Sequence, residues 1–544
     1  MDPRLRQFGL LLVFWAFVPQ ARAQPPEGVS GYLRQMLDRP SAAGTLRALY
    51  ESRQYAPLWQ RSGRPTRQAR EFIQLLLDAR AYGLRPSDYD ADAASSRMQE
   101  LLVARDVPEA RLADFDLRLS DSTLRFVRHL HYGRVDPRTC GFELYRPRTD
   151  LDEAAVIRRL ASARRPDSVL ETVEPPFNHY RLLKVALAKY RRLASEPGLT
   201  ELPRLKSGSI RPGERYPGGT PLRRLLISLG DLNDDTVGPP DAEILDEALV
   251  AALRSFQRRH GLSDDGVLGR RTFAALTVPL ERRVRQIELT LERWRWLRPF
   301  DAPPIVVNLP AFRLYAFRTA QDRESDMLKM DVIVGQSYPE TQTPVFLAEM
   351  KYVVFRPYWD VPDSIVEREM LPAMQVNPRF LEENHLELIR GRGDDSQVVP
   401  PAPDSIEALA AGELHLRQRP GPDNALGAIK FVLPNYHSVY LHSTPTGHLF
   451  GETRRDFSHG CIRVSDPAGL AAQVLRGAQG GWTEEKIREA MNGPPNQRVD
   501  LPRPVPVIVL YETAIATESG QTLFFEDIYG HDQRLEELLR ARGD

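Results

Sequence analysis

The sequence predicts an α+β multidomain protein: a helical scaffold domain, a small three-helix module, and a mostly β domain carrying a helical/loop capping insertion. Three observations carry this. At 544 residues and 42% hydrophobic content the chain is too long for one core. Apolar residues recur at helical spacing through its N-terminal third. β-Branched and aromatic runs, bounded by proline, glycine and charge, begin only near Pro304. Lys+Arg and Asp+Glu balance at 73 each, so no bulk field recruits nucleic acid or an anionic membrane, and a charged substrate must be read locally.

The first residues read as an export address. Arg4 and Arg6 precede the apolar run Phe8 to Val18, and Ala21 and Ala23 offer small residues at both cleavage-site positions. The run is short against the ~20 residues that span a bilayer. The expectation is a signal peptide over 1–23, removed after Ala23, with no membrane span in the rest of the chain and a periplasmic destination. Exported proteins tend to pair their cysteines, but Cys140 and Cys461 alone make a poor framework for so long a chain. The preferred reading is a free Cys461 with Cys140 an incidental semi-buried residue; a disulfide between them is the alternative.

Residues 24–206 read as the helical scaffold, from patterns such as "TRQAREFIQLLLDARAYGL" and "DFDLRLSDSTLRFVRHLHYG". Its arginines read as a solvated face. The Pro- and Gly-rich stretch Ser207 to Pro221 reads as a linker or long loop opening the segment 207–280. There, "DEALVAALRSFQRRHGL" places Leu249, Leu253 and Phe256 on one helical face and ends at Gly261, a helix cap. Asp264 and Asp265 read as turn residues, since the further spaced carboxylates of a calcium loop are missing. Residues 281–303 read as a connecting helix. Strand-like runs such as "MLKMDVIVG", "AIKFVLPN" and "VPVIVLYETAI" fill 304–516, with 517–544 a C-terminal segment. Within that domain 365–424 lacks strong alternation and reads as helices and loops, an insertion of a size often used as a lid.

The chemistry concentrates near the end of the β domain. "SVYLHSTPTG" puts His442 at the end of a strand, and Cys461 follows in "DFSHGCIRVSDP". A thiol with its usual pKa of ~8.5 needs a nearby imidazole to draw off its proton and hold an ion pair near neutral pH. His442 and His459 are both candidates. His459 is close enough in sequence to share a face with Cys461 without facing the sulfur, whereas His442 is free to face it. The backbone N–H groups of Gly460 and Cys461 are candidate oxyanion donors. Zinc would want a second cysteine or a clear third ligand, so no metal is expected. Tyr440 shares the strand face of His442 and is a candidate for the donor site or the oxyanion hole. Trp359 is equally a pocket wall or core packing. Arg463 either receives a substrate carboxylate or pins the catalytic loop through its carbonyls, the second being preferred.

Two resemblances add to this. Phe256, Gln257, His260, Gly261, Leu262, Asp265, Gly266, Gly269 and Thr272 resemble the pattern of the peptidoglycan-binding module of cell-wall enzymes. His442, Ser458, His459, Gly460, Cys461 and Arg463 resemble the active site of the L,D-transpeptidases, the family with a YkuD-type catalytic domain. The stretches "VGQSYPETQTPVF", "RPYWDVPDSI", "RQRPGPDNALGAIKFVLPN" and "FFEDIYGHD" are similar to its large periplasmic branch. The resemblance implies Cys461 as nucleophile, His442 as base and Ser443 as the residue whose backbone carbonyl orients it. It further implies 3→3 crosslinking of peptidoglycan stem peptides through a thioester, with a tetrapeptide donor and an amine acceptor. Carbapenem-type β-lactams would inhibit, and neither metal nor organic cofactor is required. Ser443 and His459 stand where large members often have aspartate and serine. The alternatives are a wall hydrolase using the same thiol, as L,D-carboxypeptidase or crosslink-cleaving endopeptidase, and an inert wall-binding scaffold. Intact His442, Gly460 and Cys461 argue against the last.

Overall fold

The structure, a computed structural model, describes residues 27–38, 44–144, 151–206, 208–233, 242–319, 323–393 and 396–541. The expected signal peptide lies outside them. The chain divides into two units: one of residues 1–74, 91–124 and 153–166, the other of 75–90, 125–152 and 167–544. The first is helical, with helices including Gly44–Glu51, Arg67–Leu77 and Ala91–Val103. Its core is organised by a carboxyl group, that of Asp116, which is fully buried. Asp116 accepts hydrogen bonds from the Tyr50 hydroxyl at 2.6 Å and from the Leu58 and Trp59 amides at 2.9 and 2.7 Å. Those bonds offset the cost of taking it out of water.

The second unit is built around helix Leu280–Trp294, which exposes Glu281 and Arg282 in its first turn and is buried on every side from Leu289 to Trp294. Ile287, Leu289 and Leu291 fill the apolar contacts. Its polar residues are paired: Arg295 bonds Glu292 at 3.0 Å and the Tyr180 hydroxyl at 3.1 Å, while Arg293 meets Asp532 at 2.5 Å. The helix expected merely to connect is therefore a core element, holding helices Asn178–Ala194 and His531–Ala541.

The module has helices Gly219–Leu229, Glu247–Arg259 and Arg270–Leu276. Asp246 caps the second by accepting from the Leu249 amide, and Gly261 follows its end at φ 62°. The segment read as a linker is tied in: Ser209–Ile210 pairs with Leu268–Gly269, and the buried Tyr216 donates its hydroxyl to the Pro203 carbonyl at 2.6 Å. The prolines and glycines mask two apolar anchors, Ile210 and Tyr216. Gln257 is the clasp of the module. Its amide nitrogen donates to Asp265, the Val267 carbonyl and Thr272 at 2.9, 3.0 and 3.1 Å, and its oxygen accepts from the Gly266 amide at 2.9 Å.

The β domain holds a nine-stranded sheet. In chain order its strands are β1 Ile305–Asn308, β2 Arg313–Ala316, β3 Leu328–Gly335, β4 Leu347–Phe355, β5 Ile429–Val432, β6 Leu441–His442, β7 Asp456–Ser458, β8 Ile462–Val464 and β9 Gln497–Leu510. Their order is β7-β3-β8-β6-β5-β4-β9-β1-β2, and β2 also pairs with β3, so the sheet closes on itself with β7 as a flange. Val353, Ile429, Phe431, Leu441, Ile462 and Val464 supply one buried face.

The stretch 365–424 differs from expectation. It contributes strands Leu386–Arg390, Gln397–Val399 and His415–Gln418 to a second, four-stranded sheet completed by Trp359–Asp360. Leu386, Leu388, Leu414 and Leu416 alternate with polar residues and form its separate small core with Val361, Val366 and Met374. Each alternating run is too short to stand out in the sequence. Among the described residues no helix is long and apolar enough to cross a membrane.

Candidate active site

Strands β5, β6 and β8 lie side by side and bring the expected residues together. β6 pairs in parallel with β8, Leu441 opposite Ile462 and His442 opposite Arg463. One step back along this register Tyr440 stands opposite Cys461, and the Ile462 amide donates to the Tyr440 carbonyl at 3.0 Å. Because successive side chains alternate faces, Tyr440, His442, Cys461 and Arg463 share the face opposite the buried Leu441 and Ile462. β5 adds Lys430 to that face, directly across from His442.

His442 is buried, and its Nδ1 lies 2.5 Å from the Ser443 carbonyl oxygen. A carbonyl only accepts, so Nδ1 carries the proton and the Nε2 lone pair is left as the acceptor. Burial, then the charges of Arg463 and Lys430, push the imidazole down to about 3 against the opposing carbonyl hydrogen bonds. Burial also pushes the Cys461 thiol up, opposed by hydrogen bonds from the Tyr440 amide and phenol and by Lys430 and Arg463. Both shifts favour the neutral thiol–imidazole pair over the ion pair expected from the sequence, through burial first and then, at the imidazole, the charges of Arg463 and Lys430, with proton transfer coupled to attack.

Ser443 is itself fixed from two sides. Its amide donates to the Ile429 carbonyl at 2.9 Å. Gly427, at φ 62°, packs so closely that a Cβ there would meet Ser443 Oγ and the Thr444 nitrogen at 2.7 Å. The loop that carries Cys461 is likewise braced. Gly460 adopts φ 110°, and Ser458 Oγ accepts from its amide at 3.2 Å while donating to the Cys461 carbonyl at 2.5 Å. Thr343 Oγ1 donates to the Gly460 carbonyl at 2.9 Å and accepts from the Gly335 amide at 2.8 Å, and Tyr529 donates to the Gly335 carbonyl at 2.5 Å. The Gly460 amide, expected to serve an oxyanion, is therefore engaged by Ser458. The Cys461 amide makes no hydrogen bond among the described residues.

The remaining candidates separate clearly. His459 points to the insertion, its Nε2 2.7 Å from Glu369. Arg463 donates to Thr446 Oγ1 at 3.1 Å, so it ties down the segment after His442 rather than the carbonyls of its own loop. Trp359 packs against the core of the insertion, and its side chain also acts on the Tyr440 phenol, lowering the pKa that burial raises. Both readings of that tryptophan thus have a contact behind them. Cys140 and Cys461 are both free, and burial pushes the Cys140 thiol up to about 11. Among the described residues no group of His, Cys, Asp and Glu has the arrangement of a metal site. Sequence reasoning passes over Lys430, although a lone lysine between the fully buried Ile429 and Phe431 signals a charge held on the site's face.

A thiol and a tautomer-fixed imidazole on one face of a closed sheet, in a chain that also carries a three-helix module, define the class as a thiol–imidazole protein of modular build. Residues 303–488 match the model of the L,D-transpeptidase catalytic domain, the YkuD family; 220–276 match a "Putative peptidoglycan binding domain" and 44–187 a scaffold domain. A protein of Haemophilus influenzae named "Putative L,D-transpeptidase" is 31% identical over 232 residues, 42% of this chain and 45% of that protein. The match thus spans less than half the length of that relative. The β domain thus carries the match to the L,D-transpeptidase catalytic domain, and the three-helix module the match to the peptidoglycan-binding domain.

Proposed function

We propose that the protein is a periplasmic peptidoglycan L,D-transpeptidase that forms 3→3 crosslinks through a thioester on Cys461. The observation that carries this reading is the shared face of Cys461 and His442, with Nδ1 of His442 committed to Ser443 and Nε2 left as base. Nε2 takes the thiol proton as the sulfur attacks the carbonyl of the L-centre of the diamino acid at stem position three. The C–N bond to the fourth residue, D-Ala, breaks, and its amine leaves with the proton from His442. The amine of a neighbouring stem then attacks the thioester, returning the thiol and closing the crosslink. Developing negative charge on the carbonyl oxygen is met by the Cys461 amide and the Tyr440 phenol. Arg463 holds the segment that follows the base. No step calls for a metal or an organic cofactor. Carbapenem-type β-lactams acylate the same sulfur.

The test is mass spectrometry of tetrapeptide-containing wall fragments incubated with the protein. A crosslinked dimer that has lost one D-Ala supports transfer. Tripeptide alone would make it an L,D-carboxypeptidase, cleavage of existing crosslinks an endopeptidase, and unchanged substrate would sink the enzymatic reading.

A further inference from the structure

The β5 lysine, Lys430, is a half-buried cation between two fully buried strand neighbours, with no carboxylate at ion-pair distance among the described residues. Its Nζ lies 3.9 Å from the centroid of the Tyr440 ring. It stands directly across the sheet from His442. Tyr440 in turn stands opposite Cys461, next to the Ile462 amide that donates to its carbonyl at 3.0 Å, while the sulfur donates to the Ser438 carbonyl at 3.9 Å. Long charged side chains are seldom buried without a partner, because removing an ammonium from water costs several kcal/mol or more unless an anion or a ring face compensates. Here the ring compensates in part, and the missing anion is one that the reaction itself creates.

We propose that Lys430 is a positioning residue of the nucleophile: packed on Tyr440, it fixes the phenol toward Cys461 and supplies the permanent positive charge that favours the thiolate. The inference rests on Cys461 being the nucleophile of the proposed transpeptidase. It explains how the sulfur gives up its proton to His442 Nε2 during attack although burial, Arg463 and Lys430 disfavour the imidazolium: a permanent charge stabilises the developing thiolate. The titratable and charged groups facing Cys461 and Lys430 are Tyr440 and His442 on β6, Arg463 on β8 and Asp360 on the adjoining strand of the insertion. Asp360 acts on Lys430 at longer range and forms no ion pair with it. In the reaction the same charge also opposes a lingering imidazolium, so His442 is disposed to hand its proton to the leaving amine.

The experiment measures the rate of Cys461 alkylation by iodoacetamide against pH, in the full chain carrying Cys140→Ser so that one thiol reports. Iodoacetamide is neutral and small and needs no wall substrate. Lys430→Met is expected to raise the inflection by roughly one pH unit and to slow alkylation near neutrality about tenfold. Lys430→Arg is expected to restore the parent inflection, because it returns the charge. Circular dichroism and thermal melting establish that each variant is folded, and Lys430→Gln stands in if the methionine variant is not. The proposal is overturned if a folded Met or Gln variant keeps the parent inflection, whether or not its overall rate falls. It is also overturned if arginine fails to restore the shift. Failure of the transpeptidase reading would show elsewhere, as parent protein that makes no dimer from wall fragments while the alkylation shift persists.

Discussion

Gly427→Ala tests whether the base is held by the packing behind it. The residue sits at φ 62°, where an L side chain costs about 1–2 kcal/mol. The new methyl would also meet the Thr444 nitrogen at 2.7 Å and the Ser443 carbonyl carbon at 2.8 Å, both backbone atoms that no rotamer change can move. Reaching an ordinary contact near 3.4 Å requires the Ser443–Thr444 segment to retreat by roughly 0.7 Å. That segment carries the carbonyl that holds His442 Nδ1. A displacement approaching 1 Å in a positioned catalytic group costs on the order of 10²-fold in rate. The measurement is the rate of Cys461 adduct formation with a small soluble carbapenem, followed by mass. Gly412→Ala is the control: at φ 71° it has the same backbone cost and nothing within 4 Å. The expected result is a loss of stability in both variants, larger at Gly427 because of the added clash, and a large loss of acylation only at Gly427. If Gly427→Ala, shown to be folded, acylates as fast as Gly412→Ala, the packing behind Ser443 does not position the base and the reasoning fails.

Other perturbations bear on separate parts of the molecule. Cys461→Ser should abolish the carbapenem adduct in a folded protein while Cys140→Ser keeps it, and an adduct surviving the first change would move the nucleophile elsewhere. His442→Ala should slow adduct formation by about 10²–10⁴-fold. His459→Ala and Glu369→Gln should act alike and modestly, since they break one exposed contact; a reversed ranking would make His459 the base. Burial raises Glu512 from its ordinary 4.5 to about 8, so the folded state holds that proton more tightly. Its contribution is fully present below about pH 4.5 and is lost as pH rises to about 8. Glu512→Gln should therefore match the parent at pH 4 and exceed it in unfolding free energy near pH 8, by on the order of a few kcal/mol; equal pH dependence in thermal melts would contradict this. Gln257→Ala should cost about 1–3 kcal/mol by stranding its buried partners, with carbapenem acylation retained; a matching loss of acylation would make the module part of the active-site architecture.

The pairing of Cys461 with His442 could be read from the sequence because it rests on strand periodicity and a short motif, both local properties. The module could be read for the same reason, since Phe256, Gln257 and Gly261 lie within one helix and its cap. What escaped depends on the fold. The His459–Glu369 contact joins residues 90 apart, and no local pattern predicts it. The engagement of the Gly460 amide by Ser458 is a matter of loop geometry, so the oxyanion assignment changed once the turn was visible. The sheet of the insertion was missed because Leu386 and Leu388, and Leu414 and Leu416, alternate only briefly and find each other across a long excursion of chain. Lys430 carried a signal, one charge on an apolar strand, whose meaning needed the neighbouring strands.

The clasp made by Gln257 changes what the module's signature means. Gln257, Asp265, Gly266 and Thr272 spend their polar groups on one another, and Gln257 and Thr272 are buried. A pattern made of such residues preserves the shape of a turn. Matching the signature therefore reports a common frame, and any grip on the wall has to come from side chains that the clasp leaves unspent. Affinity can diversify on a surface whose underlying frame stays constant.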